Sequence, residues 1–80
     1  MEKIAPALRE AMETQSDEET CRVILTLEEN HLPPTTLPLE AVALGFGIYT
    51  FDADHHLIRA LAREDSVAAL ELDQNYRICG

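Results

Sequence analysis

Ile4, Ala7, Leu8, Ala11 and Met12 fall at i, i+3, i+4, i+7 and i+8, the spacing of one helix face, and Pro6 is compatible with a first turn. The pattern predicts a helix over residues 4–14, ended by the polar residues 15–20. From Cys21 the pattern shortens to two residues. Cys-Arg-Val-Ile-Leu-Thr-Leu, residues 21–27, is a β-branched apolar run of strand length with Val23, Leu25 and Leu27 on one face. Pro33, Pro34 and Pro38 remove backbone donors from residues 28–38, which read as a connector.

Residues 39–44 leave two alternatives. Thr36 caps a short helix closed by Gly45, or the segment is a strand turning at Gly45-Phe46-Gly47. Residues 48–51 are rich in strand formers, and Asp52 or Asp54 is placed to cap a helix running to about Ala62, with Leu57, Ile58, Leu61 and Ala62 as its buried stripe. Arg59 and Arg63 lie near its C-terminal end, where they complement the dipole. Glu64-Asp65-Ser66 then turns the chain into a last strand over residues 67–72. The two-residue period puts Ala68, Leu70 and Leu72 on one side of it, and Val67, Ala69, Glu71 and Asp73 on the other. Helices interleaved with strands over one small sheet indicate an α+β sandwich with an open sheet face.

The length, 80 residues, allows one domain, which buries only roughly 60% of the surface its unfolded chain exposes. Stability is therefore expected to be modest and open to reinforcement by a partner that binds the folded form. Acidic residues outnumber basic ones 15 to 6, and the resulting net charge of -9 disfavours nucleic acid and anionic lipid as partners. The run Asp17-Glu18-Glu19 reads as a solvated loop. A hydrophobic share of 46% supports a folded core. The first residues lack the pattern of a signal peptide and no stretch reaches membrane-spanning length, so the chain as written is expected to stay where it is made, in the cytoplasm.

Little in the chain suggests catalysis. Ser16, Ser66, Cys21 and Cys79 stand in no nucleophile motif, and an enzyme is not expected. Asp52, Asp54, His55 and His56 raise the question of a metal, but adjacent helical histidines point to different faces and no second ligand cluster accompanies them. Neither a metal nor another cofactor is expected. Gly45-Phe46-Gly47 is too short for a phosphate loop and reads as a turn.

Residues 60–73, Ala-Leu-Ala-Arg-Glu-Asp-Ser-Val-Ala-Ala-Leu-Glu-Leu-Asp, resemble the end of the propeptides and stand-alone propeptide-like inhibitors of subtilisin-type serine proteases. In that family a helix ending in leucine leads through a short acidic turn and a valine into a strand that closes on Glu-x-Asp. Residues 3–11, Lys-Ile-Ala-Pro-Ala-Leu-Arg-Glu-Ala, and residues 23–27, Val-Ile-Leu-Thr-Leu, are similar to the lead helix and first strand of many bacterial members. These segments cover 28 of the 80 residues, about a third of the chain.

The resemblance implies a single domain over residues 1–80: a lead helix at 4–14, a ferredoxin-like α+β core at 21–73 and a C-terminal tail at 74–80. It implies a monomer when free, inhibiting a subtilisin-like protease or chaperoning its folding. The open antiparallel sheet, with helices on its other face, would dock on two parallel surface helices of the protease. Glu71 and Asp73 would meet the helix N-termini, where unsatisfied N–H groups and positive dipole ends favour carboxylates. The plainer alternative is that both merely keep the strand's outer face wet. Asn75, Tyr76, Arg77, Ile78, Cys79 and Gly80 would lie product-like in the cleft, adding to its edge strands. With Cys79 just before the scissile position, Tyr76 would reach the pocket for a large apolar group; Gly80 could occupy that position instead.

The chain departs from the family between Leu27 and Gly45. There a full crossover helix and a second strand are expected, and the short, proline-broken segment implies a helix shortened or lost and a sheet of three strands. In the ferredoxin-like topology Cys21 and Cys79 could approach each other. A disulfide would tether the tail, so an inhibitor should keep free thiols with Cys79 exposed. Two other functions compete: an interaction or regulatory domain of ferredoxin-like type, and an acidic antagonist of a basic partner.

Overall fold

The computed structural model of the chain describes residues 3–16 and 18–73. In order, the elements are α1 (Pro6–Thr14), β1 (Cys21–Leu27), β2 (Val42–Gly45), β3 (Ile48–Ala53), α2 (His55–Ala62) and β4 (Val67–Leu72). The strands form one antiparallel sheet in the order β2-β3-β1-β4. The result is a small α+β fold with two helices on one sheet face.

Alternation along β1 decides which face that is. Cys21, Val23 and Leu25 are buried, and the register sets them opposite Ala53, Phe51 and Tyr49 of β3. Val23 and Leu25 also face Leu72 and Leu70 of β4. Leu8 of α1 and Ile58 and Leu61 of α2 close over this layer and are themselves fully buried. Each such side chain contributes roughly 1.5–3 kcal/mol relative to exposure.

Pro6 stands at the start of α1, where its missing N–H breaks no helical bond. The helix is shorter than its apolar period predicts, because residues 3–5 pair with the sheet. Ile4 bridges Leu70 in parallel, the Ala5 N–H donates to the Leu70 carbonyl at 2.9 Å, and the Leu70 N–H donates to the Lys3 carbonyl at 2.8 Å. Lys3 also donates from Nζ to the Glu64 carbonyl just beyond α2, at 2.7 Å. The outer edge of β4 is thereby paired at Leu70.

The sheet has four strands rather than the three implied by the short connector. Residues 28–41 contain no helix, and turns from Pro34 to Leu37 and from Pro38 to Ala41 carry the chain across. Leu37 and Ala41 pack against the core. Thr36 ties the connector to the α2–β4 turn, its hydroxyl donating to Glu64 Oε2 at 2.8 Å. The strand alternative holds for residues 42–44. That segment has no clear period of its own, and pairing with β3 decides it.

The last strand departs from simple alternation. Thr26 pairs with Ala69 but Leu27 pairs with Val67, so Ala68 is an extra residue in the ladder. Val67 is therefore buried with Leu70, whereas strict alternation puts it outside, and Ala68 does not join the core. Asp54 rather than Asp52 caps α2, accepting the Leu57 N–H on Oδ1 at 2.9 Å. His55 is buried beside it and His56 exposed, the divergence expected of neighbours on a helix.

Candidate functional site

The sheet face turned away from both helices is the candidate site. None of its side chains belongs to the core cluster or to the apolar residues packed against it. Strand registers fix its layout. At one end Arg22 faces Asp52 across β1 and β3, and their side chains pair at 3.4 Å. The Asp73 N–H donates to the Arg22 carbonyl at 2.9 Å, which continues the β1–β4 ladder and sets Asp73 opposite Arg22 on the other side. In the next row Val42, Thr50, Ile24 and Glu71 lie side by side. Thr50 is buried there, its hydroxyl donating to the Val23 carbonyl at 3.0 Å. The third row is Ile48, Thr26 and Ala69. The face is thus charged at one end and uncharged at the other.

Of the residues picked out from sequence, Glu71 is exposed on this face and Asp73 half-buried at its charged corner. Two residues apart on a strand, they share a side. Asn75, Tyr76, Arg77, Ile78, Cys79 and Gly80 lie outside the described residues, as does any pairing of Cys79. Cys21 is buried, and its thiol donates to Gln15 Oε1 at 3.0 Å. Burial first, and the nearby Glu19 carboxylate second, push this thiol above its ordinary value of 9.0. A thiol held neutral in this way is a poor nucleophile.

Sequence reasoning missed Arg22 and Asp52 as members of the face. Their approach depends on long-range register, which no local pattern reveals. It also missed a second feature beside the face. Leu32, Leu39, Val42, Leu44 and Phe46 are all exposed and belong to the connector, β2 and the β2–β3 turn. At the turn, Gly45, Phe46 and Gly47 have φ values of 99°, 54° and 75°; Phe46 and Gly47 are the two central residues between the Gly45–Ile48 pair, with the positive φ of a type I′ hairpin.

The aspartates and histidines around α2 do not converge. Among the described residues no group of three or more His, Cys, Asp or Glu side chains is placed to hold a metal ion. No described helix is long and apolar enough to cross a membrane. No family model matches the chain, and comparisons with curated proteins and with solved structures find no match.

Proposed function

We propose that this protein is a propeptide-like module that binds and inhibits a subtilisin-like serine protease, or assists its folding, through its open sheet face and a product-like C-terminal tail. One observation carries the reading: no described element covers the sheet face opposite the helices, which bears Glu71 and Asp73 at the end of the last strand. The strand order β2-β3-β1-β4 supports a ferredoxin-like core whose crossover helix has been replaced by the proline connector.

The two carboxylates are not equivalent. Asp73 sits opposite Arg22, whose guanidinium already pairs with Asp52, whereas Glu71 stands beside the uncharged Ile24. Glu71 is thus the freer to meet a helix N-terminus, a contact worth roughly 0.3–2 kcal/mol.

The test is inhibition of subtilisin by the full chain added in trans. Loss of inhibition on deleting residues 76–80, a several-fold weakening for Glu71→Ala and a smaller one for Asp73→Ala are expected. Absence of inhibition across a panel of subtilases, with the chain neither protecting nor being cleaved, would overturn the proposal.

A further inference from the structure

We propose that the free edge of β2 is a homodimer interface, where two copies pair their β2 strands antiparallel to make a continuous eight-stranded sheet. The two edges of the sheet differ. Residues 3–5 pair with β4 at Leu70, while β2 lies at the other end of the order with no described strand beyond it, and all four of its residues are exposed. Sheet edges are commonly protected by Lys, Pro or an inward charge. Val-Ala-Leu-Gly has none of these; its shortness and the extra residue Leu44 in its ladder with β3 confine edge pairing to a few residues, so the exposed side chains of Leu39, Val42, Leu44 and Phe46 must supply the rest of the contact.

Charge selects the occupant. The chain carries a net charge of -9, so two copies repel over most of their surface. Yet from Leu32 to Phe51 the only charged residue is Glu40, and residues 41–51 carry none. A basic partner would find no carboxylate on β2 itself to neutralise. A second copy brings an equally neutral edge, and antiparallel pairing about a two-fold axis makes the strand its own complement.

Phe46 marks the same surface. It is 101% exposed and held at a φ of 54°, a conformation that ordinary L-residues adopt only at a cost. Glycine or asparagine would serve the turn better. Strain held with no compensating burial in the single chain points to a contact outside it. In an antiparallel pair centred on β2, the Phe46 ring of one copy would lie near residues 39–41 of the other, where Leu39 is 103% exposed.

The dimer edge is three strand spacings from β4, roughly 14 Å. Val42 borders both surfaces, but docking is read by inhibition and dimerisation by mass, so the two can fail separately. The decisive experiment is sedimentation equilibrium of the full chain over a concentration series, at low salt and at about 1 M salt, where the screening length is about 3 Å. A shift from 8.9 kDa towards twice that mass, stronger at high salt, is expected.

Leu44→Lys changes the net charge from -9 to -8, which by bulk repulsion alone would favour association. At the edge it sets two lysines together and should weaken the dimer at least about 10-fold, as like charges juxtaposed at an interface do. Phe46→Asn, which suits the turn, should also weaken it and serves if Leu44→Lys does not fold. A mass of 8.9 kDa under every condition overturns the proposal. In that case hydrogen exchange at β2 tells whether another part of the chain covers the edge or it stays open to a different partner. A dimer that survives both substitutions also overturns it, since another surface must then hold the copies together.

Discussion

Replacing Phe46 by asparagine should make the isolated fold more stable while removing a large apolar side chain. Phe46 occupies the first central position of a type I′ turn at φ 54°, and Gly47 the second at 75°. A left-handed conformation costs an ordinary L-residue roughly 1–2 kcal/mol, whereas asparagine reaches it with far less strain. Because the phenyl ring is 101% exposed, its loss removes no burial from the monomer. The net gain for Phe46→Asn is on the order of 1 kcal/mol, or about 4–8 °C in Tm for a domain of this size. Glycine accepts the same φ, but its greater freedom in the unfolded chain offsets roughly 0.5–1 kcal/mol, so Phe46→Gly should gain less. Phe46→Val, β-branched, should be less stable than the parent. Thermal melts followed by circular dichroism in dilute solution, where any dimer has dissociated, give the ranking Asn, Gly, Phe, Val. An asparagine variant no more stable than the parent would refute the strain argument, and with it the use of Phe46 as a marker of an external contact.

Leu8 is the fully buried anchor of α1, and Leu8→Ala should cost about 2–5 kcal/mol, enough to leave much of a small domain unfolded in a urea titration. Asp54→Ala removes the side-chain cap of α2 and should lower stability by about 0.5–2 kcal/mol, with Asp54→Asn retaining most of it. In a Cys79→Ser background, native Cys21 should react with iodoacetamide far more slowly than in the unfolded chain; equal rates would contradict its burial. Its thiol holds its proton more tightly when folded, so this contribution to stability is complete below the ordinary value of 9.0 and is lost as pH rises from there through the raised folded value. Urea midpoints measured between neutral pH and about 10 should fall less in a Cys21→Ala variant than in its parent.

The helix face of Leu8, Ala11 and Met12, the strand alternation of Val23 and Leu25, and the Ile58–Leu61 pair of α2 could all be read from sequence because each is a local periodicity expressed in burial. What escaped depends on partners distant along the chain. Ile4 continues the helical period of Leu8 but serves as a bridge to Leu70, 66 residues away. The Val-Ala-Ala-Leu start of β4 contains two alanines that fit either face, so only the register against β1 places its extra residue. Residues 42–44 become a strand because β3 lies alongside. At the candidate site, the exposure of Glu71 followed from the two-residue period, but the approach of Arg22 to Asp52 and Asp73 did not, because it requires three strands in register. The Gly-Phe-Gly turn was legible as a turn. That Phe46, lying between two glycines at positive φ, is itself held at a left-handed φ is a property of the hairpin twist.

The bond between residues 3–5 and β4 has a consequence for how the protein is made. Residues 3–5 take their sheet partner from a strand more than 60 residues later, so α1 gains its final seat only after synthesis has passed residue 72. Contacts of such long sequence separation slow folding and keep apolar surface uncovered for longer. Nascent chains stalled before β4 should therefore be sensitive to protease throughout, and resistance should arise abruptly once the whole strand has emerged.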